Sequence, residues 1–429
     1  MLSLVASAAA VFMAAALFIA GNMLLGTNVA LRLSHEAYGA ATIGLILTQY
    51  SVGFVAGTWF GPRLIRRAGH IRAFAALAAI TGCAGLAYAI GIDGVFWALL
   101  RALNGFCGAI LMVVLESWVN AHAKPQTRGR FLAVYMVTYY LAGAGGQLLV
   151  AAGDPADFRP YSLAAALLVL ASVPLCLTGL QAPPPAEIRR LPLSLLMRVA
   201  PLGVAGAFAG GFASSAFYSL APVHLARTGG GTGQVAAYMA CAVLASMLLQ
   251  YPAGRLGDRL DRRRMILLIA LVAAAASLGI AALGQASIAA LFLSSMLFTG
   301  VLACLYPSVL ALTHDQLPGR DLVGANAALL SFWGIGQCTG PVIVAGAMSL
   351  LGPGGLYYGM AAVLIVFAAF VGLRLRTTPA LLPSLQAPFA PTQATTPQIA
   401  EMDPRAPVGD EADGGGGPCL LYTSDAADE

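Results

Sequence analysis

Apolar residues run along this chain in twelve blocks, each near the roughly 20 residues that one helix needs to cross a bilayer. The blocks lie near 4–31, 39–60, 72–91, 94–119, 131–152, 160–180, 200–225, 233–253, 265–284, 286–313, 323–351 and 355–373. Charged residues, glycine and proline gather in the short breaks between them, the least marked break falling near Gly284. Blocks apolar all round, rather than along one stripe, predict helices solvated by lipid.

Composition agrees. Of the 429 residues, 59% are hydrophobic and 10% charged, and the mean hydropathy is +0.81. That much apolar surface excludes a water-soluble domain. Residues 1–31 carry no charged side chain. Without a basic n-region, a retained first span is the better reading than a cleaved leader. Cys83, Cys107, Cys176, Cys241, Cys304 and Cys338 sit inside apolar blocks with no CxxC spacing. They read as small hydrophobes, and no metal site is expected.

Charge gives an orientation. Of 23 Lys and Arg, only Arg32, Arg159 and Arg227 fall in breaks that follow odd-numbered spans, and Arg101 lies inside span 4. The others fall on the opposite side, which places both termini and the central loop in the cytoplasm. All basic residues except Lys124 are arginine, a usage that fits a GC-rich bacterial genome and a bacterial inner membrane. The central break, 181–199, contains Pro183, Pro184 and Pro185 and reads as a linker between bundles at 1–180 and 200–376. From 377 the chain turns to Pro, Thr, Gln and acids and reads as a disordered cytoplasmic tail. Its last eleven residues, from Cys419, resemble the translated end of a sequencing adapter.

The two halves repeat. Gly129-Arg130 stands seventeen residues before Gln147, and Gly319-Arg320 stands as far before Gln337, an offset of 190. Gly143, Gly145 and Gly146 accompany the first glutamine, and Gly334, Gly336 and Gly340 the second. The basic break "RLIRRAGHIR" at 63–72 has its partner in "GRLGDRLDRRR" at 254–264. Six spans followed by six with matching breaks is a parallel-repeat plan found among secondary transporters.

These residues resemble the major facilitator superfamily. Gly254, Leu256, Asp258, Arg259, Arg262 and Arg263 fit its cytoplasmic loop pattern G-x-L-x-D-R-x-G-R-R, with Asp261 in place of the second glycine. Arg66, Arg67 and Gly69 form a degenerate first-half copy. "RALNGFCGA", from Arg101, is similar to the family's R-x-x-x-G motif in span 4. "GQCTGP", from Gly336, is close to an antiporter motif that normally sits in span 5, where this chain has no proline. "ESW.N", "RGR" and "YM", with "LYP" at 305–307 and "GP" at 340–341, look like the YcaD-like branch of bacterial carriers.

The resemblance implies an all-α membrane protein of the major facilitator fold, with twelve transmembrane helices in two pseudo-symmetric six-helix bundles. It implies a monomeric secondary active transporter that moves a small-molecule substrate by alternating access, driven by protons. The lipid bilayer is the expected partner; no nucleic acid and no cofactor are expected. Arg66, Arg67, Gly69, Arg128, Arg130, Gly254, Asp258, Arg259, Arg262 and Arg263 would form the gating loops on the cytoplasmic side.

Two charges stand out within the spans. Glu116 lies near the cytoplasmic end of span 4, just ahead of Arg128 and Arg130, and a carboxylate in hydrocarbon faces a cavity or a partner. An ion pair with those arginines that holds a gate is the first reading; a site for the transported proton and a static role stay open. Arg101 is fifteen residues earlier, about 22 Å along a helix, too far to pair with Glu116. It needs carbonyls, an amide, water or an anionic substrate, and Asn104 shares its face. Further cavity candidates are Asn22 and Asn28 in span 1, and Tyr135, Tyr139 and Gln147 in span 5. Span 7 adds Ser214, Tyr218 and His224, and spans 10 and 11 add Tyr306, Trp333 and Gln337. Each could equally be an interhelical hydrogen bond, and His224, near the outer end, reads as solvated. Gly53-x-x-x-Gly57 predicts a close helix crossing within the chain.

No enzymatic activity is expected. There is no G-x-x-x-x-G-K-[ST] phosphate loop, and His35-Glu36 fails as H-E-x-x-H because position 39 is Gly. The alternatives are a non-transporting membrane sensor, which would carry a folded cytoplasmic domain, and an intramembrane enzyme, which would cluster His, Asp or Glu within its spans.

Overall fold

A computed structural model describes residues 2–123, 128–178, 183, 191–257, 259–284, 287–317, 322–377 and 393–396, with backbone only at 2–8, 322 and 323. Lys124, Asp258, Gly319, Arg320 and the stretches 184–190, 378–392 and 397–429 lie outside the described residues. Helices make up the described fold, and no strand is present among the described residues.

Twelve helical segments are long and apolar enough to cross a membrane. Spans 1 to 6 are Ala9–His35, Ala40–Ala68, His70–Ala87, Gly94–His122, Arg128–Ala152 and Arg159–Leu177. Spans 7 to 12 are Pro201–Arg227, Thr232–Gly257, Arg262–Leu283, Ile288–Asp315, Gly324–Leu351 and Gly355–Thr377. They form two bundles of six. The break near Gly284 separates spans 9 and 10 as expected. Helices overrun the apolar blocks at their polar ends, span 1 reaching His35 and span 4 His122. A helix satisfies its own backbone groups and so carries on into the interface.

Where helices stop, the local chemistry shows why. Asp93 caps span 4 by accepting a bond from the Phe96 N–H at 2.8 Å, and Gly69, at φ +80°, makes the left-handed turn between spans 2 and 3. Span 10 is two helices, Ile288–Leu302 and Leu305–Asp315. Pro307 follows the break and cannot donate to the carbonyl of Ala303. Spans separate apolar from polar around their circumference: on span 4, Val95 and Leu99 are exposed while Arg101, Asn104 and Glu116 are buried.

Glycine sets how closely the helices pack. A Cβ on Gly53 would lie 1.9 Å from the Ala102 carbonyl oxygen, and one on Gly57 2.4 Å from that of Phe106, so spans 2 and 4 touch backbone to backbone. On the other side of that crossing, a Cβ on Gly105 would meet the Tyr50 carbonyl oxygen at 1.9 Å. The second half has a similar contact between spans 8 and 10, where a Cβ on Gly300 would lie 2.9 Å from the Ala245 carbonyl oxygen. Spans 1 and 5 meet at Gly146, where an added Cβ would lie 2.3 Å from the Ala20 carbonyl oxygen; spans 7 and 11 meet at Gly336, where one would lie 2.2 Å from that of Phe208. Gly146 and Gly336 are related by the offset of 190 seen in the sequence.

Hydroxyl bonds to a glutamine occur in both halves, to a side chain in one and to the backbone in the other. Thr27 donates to Gln147 Oε1 at 2.8 Å, and Ser215 donates to the Gln337 carbonyl oxygen at 3.0 Å. The bundles meet at the end away from the basic loops. There Gly44 abuts Pro341 and Ala345, and Arg227 donates to the Tyr38 carbonyl oxygen at 2.6 Å.

Gly53→Ala forces a methyl group into the Ala102 carbonyl and is expected to cost about 2 kcal/mol, read as a lower thermal midpoint in detergent. Gly145→Ala, with nothing within 4 Å of the added carbon, should leave the midpoint unchanged or slightly raised.

Candidate functional site: a central cavity with one cation and a buried carboxylate

Between the bundles lies a cavity of about 290 Å3. The first half contributes Asn22, Thr27, Tyr50, Arg101, Tyr139, Tyr140 and Gln147, and the second Ser214, Ser215, Tyr218, Ser246, Tyr306, Trp333 and Gln337. The broken middle of span 10 opens onto it through Leu302 and Ala303. Of the residues singled out from sequence, Asn22, Arg101, Tyr139, Gln147, Ser214, Tyr218, Tyr306, Trp333 and Gln337 line the cavity. Asn28 and Asn104 are buried in the helix packing beside it.

Arg101 is the charged side chain among the lining residues. It is 8% exposed, and its guanidinium carbon sits 4.7 Å from the centroid of the Tyr50 ring. The Tyr50 hydroxyl in turn accepts a bond from Asn22 Nδ2 at 3.1 Å. Gly105, one turn after Arg101, brings Tyr50 this close, because its missing side chain lets the Tyr50 backbone approach span 4. The R-x-x-x-G motif is therefore a cation and the gap that admits its aromatic partner.

Glu116 is fully buried. It accepts hydrogen bonds from three hydroxyls: Tyr135 at 3.2 Å, Thr395 on the same oxygen, and Thr396 on the other. The expected ion pair with Arg128 and Arg130 is not formed among the described residues. Glu116 points into the bundle, whereas Arg130 is exposed in the first turn of span 5 and Arg128, the first residue of that span, is half-buried with its Nε unpartnered. The expectation of a wholly disordered tail also changes: Gln393, Ala394 and Thr395 line the cavity, and Thr395 and Thr396 are buried against Glu116. The second half holds a neutral counterpart, in which Tyr306 donates to Asn326 Oδ1 at 2.6 Å. Tyr306 follows Glu116 by 190 positions and Asn326 follows Tyr135 by 191.

The basic loops are arranged within their own halves. Arg262 pairs with Asp315, at the end of span 10, at 2.7 Å. Arg263 pairs with Asp261 at 3.1 Å, and Asp261 caps span 9 by accepting from the Arg263 N–H at 2.8 Å. Arg66, Arg67 and Arg259 are exposed, Gly254 is buried, and Asp258 is outside the described residues. His224 is not solvated as expected. It is buried, its Nδ1 lies 2.9 Å from the Pro353 carbonyl oxygen, and Tyr357 packs edge-on against its ring, because span 12 begins beside it. No cluster of three or more His, Cys, Asp or Glu with metal-binding geometry is present among the described residues.

Sequence reading passed over Thr27, Tyr50, Tyr140, Ser215, Ser246 and Gln393–Thr396. Tyr50 had a usable signal, standing three residues before Gly53 at the expected crossing. The tail had none.

Twelve spans in two like bundles around a polar cavity define a membrane carrier of the two-bundle type. A family model described as the Major Facilitator Superfamily matches residues 11–247 and 203–400, and the chain belongs to that family, in its YcaD-like branch. It is 32% identical over 352 residues to the uncharacterized MFS-type transporter Ent638_1421 of Enterobacter sp. (strain 638), covering 80% of this chain and 89% of that one. It is 30% identical over 366 residues to the uncharacterized MFS-type transporter YcaD of Salmonella typhi, covering 83% and 92%. Among solved structures, the nucleoside transporter NupG superimposes with a TM-score of 0.69 at 13% identity, over 86% of this chain and 98% of that one. A bacterial homolog of the human lysosomal transporter Spinster gives 0.70 at 15% identity, over 89% and 98%. Both likenesses are of fold.

The cap on span 9 is open to a pH test. Burial disfavours the charged Asp261 carboxylate, but the side-chain and backbone bonds from Arg263 outweigh it and hold the group below the usual carboxylate range. A depressed folded value means stability present above about pH 4 and lost as pH falls below it. Asp261→Ala should cost about 1 kcal/mol at pH 7, seen as a lower thermal midpoint, with the gap to the parent closing in acid.

Proposed function

We propose that this chain is a proton-coupled secondary transporter that moves a small solute by alternating access, with 1–180 and 200–376 as the two moving halves. The observation that carries the reading is Glu116: a buried carboxylate, behind the central cavity, whose partners among the described residues are hydroxyls. A hydroxyl can donate to a carboxylate or accept from a carboxylic acid, so the site serves both protonation states without rearranging its neighbours. An arginine partner would fix the charged state instead. The two bundles meet at the end away from the basic loops, so the contacts at Gly44 and Arg227 must part when the cavity opens there. The excess of arginine on the other side supports cytoplasmic termini in a bacterial inner membrane.

Reconstitution in proteoliposomes with an imposed pH gradient tests this. Glu116→Gln should lose gradient-driven accumulation while keeping counterflow exchange of the same solute, because a neutral amide mimics the protonated carboxyl. Unaltered gradient-driven flux in this variant would exclude Glu116 as the proton site.

A further inference from the structure

We propose that the cavity takes an organic oxyanion, a carboxylate or phosphate on an aromatic or apolar body, with the oxyanion seated on Arg101. This inference deepens the transporter reading and rests on it for the site. Arg101 is nine-tenths buried, lines the cavity, and its Nε has no hydrogen-bond partner. No carboxylate lines the cavity with it among the described residues, and Glu116 is bound instead by hydroxyls. The contact Arg101 does have, the Tyr50 ring face, attracts a cation but leaves its N–H donors unused. A buried guanidinium without a counter-charge is strongly disfavoured, and an anion arriving from water supplies that charge in the fork geometry guanidinium matches. Gly26 of span 1 stands beside the guanidinium: an added Cβ there would make ordinary van der Waals contact with Arg101 Nη1, at 3.8 Å. Across the cavity, Tyr218, Tyr306 and Trp333 offer ring faces and edges to a flat body. The cavity volume, about 290 Å3, is at the small end for ligand pockets.

The test measures binding to the purified full-length chain by calorimetry, with benzoate and phenylacetate, phenyl phosphate, and the neutral benzamide. Binding of a carboxylate or of phenyl phosphate, with benzamide at least about tenfold weaker, is expected; which oxyanion binds identifies the class. Arg101→Gln should abolish that preference, and Arg101→Lys should retain part of it. Tyr50→Phe, which keeps the ring beneath the guanidinium, should bind the anion and shows that the wall tolerates substitution. Equal binding of benzamide, no binding of any anion in the panel, or undiminished preference in Arg101→Gln overturns the proposal. Binding of the anion without counterflow in liposomes would sink the transporter reading and leave the oxyanion site standing.

A second observation is independent of Arg101. We infer that Gln393–Thr396 acts as a plug from the chain's own tail. Two consecutive threonines occupy both oxygens of Glu116, and both are buried. The segment lines the cavity beside Tyr139 and Tyr140. Span 12 ends at Thr377, and the fifteen intervening positions reach up to about 50 Å when extended, so the reach suffices. While seated, the segment occupies the hydroxyl-accepting face of Glu116 and part of the cavity. The experiment replaces the native cysteines with alanine, introduces Ser214→Cys on the cavity wall, and follows alkylation by a charged maleimide in detergent. Deletion of Gln393–Thr396 should speed alkylation severalfold, and Thr395→Val with Thr396→Val should do so in part. Equal or slower alkylation in the deletion variant overturns the plug.

Discussion

In hydrocarbon a polar group has no water to return to, so each one must be satisfied inside the protein or face a cavity that the protein encloses. The described structure follows from that constraint. Backbone groups satisfy themselves as helices. Threonine and serine side chains within spans bond back to their own helix, as Thr81 does to Leu77 and Ser117 to Val113, both at 2.7 Å. Gln49 does the same to Leu45 at 3.1 Å, but other long polar side chains, such as Arg101 and Gln147, are brought together between the bundles instead. The cavity is thus where the constraint collects the groups that a single helix cannot satisfy. Lipid contributes little force for helix association, because tails are as apolar as leucine. The bundles are instead held by backbone contact at glycine, which is why Gly53, Gly105, Gly146 and Gly336 occupy the crossings.

The duplication makes the remaining asymmetry informative. Gly146 and Gly336 are counterparts at the 190-residue offset and do the same work in each half, and a hydroxyl on the first span of each half donates to a glutamine of its fifth, to the side chain of Gln147 and to the backbone of Gln337. Glu116–Tyr135 and Tyr306–Asn326 join corresponding positions, yet one pair holds an acid and the other is neutral. Arg101 likewise has no charged counterpart among the cavity-lining residues of the second half. Both charges at the centre therefore belong to the first bundle, and the second presents hydroxyls, amides and rings. A duplicated scaffold carries the packing, and departures from duplication carry the charge.

Most of the fold was legible because lipid forces a long-range order onto the sequence. Twelve apolar blocks, the basic breaks and the 190-residue offset each report a property that a whole span must have. The Gly53–Gly57 crossing was legible for a similar reason, since two glycines one turn apart have few other uses in a span. Contacts between particular side chains were less so. Glu116 and Arg130 are close in sequence and of opposite charge, but span 4 buries the acid within the bundle, behind the cavity, while Arg130 is exposed in the first turn of span 5. His224 was misread because position near a span's end predicts water only if no neighbouring helix starts there, and span 12 does. Thr395 and Thr396 could not have been placed at all, because no periodicity ties a polar tail to a site about 280 residues earlier in the chain.

The R-x-x-x-G stretch shows how packing and chemistry are joined in this protein. Arg101 and Gly105 lie one turn apart on span 4 and face the same neighbour. Gly105 lets the Tyr50 backbone come to contact distance, and the Tyr50 ring then lies over the guanidinium. Remove the close approach and the ring withdraws; the cation loses the ring it lies over, and Asn22 loses the hydroxyl to which it donates. The depth and aim of the cation thus depend on a backbone contact between spans 2 and 4. Those two spans also take part in different events: span 2 abuts span 11 of the other bundle through Gly44, while span 4 carries both Arg101 and Glu116. A shift of span 2 as the bundles separate at that end would act on the Arg101–Tyr50 contact first, and through span 4 on Glu116. On the proposed reading, coupling between a solute at the cation and a proton at the carboxylate would require no chain of side chains, only one rigid helix bearing both groups.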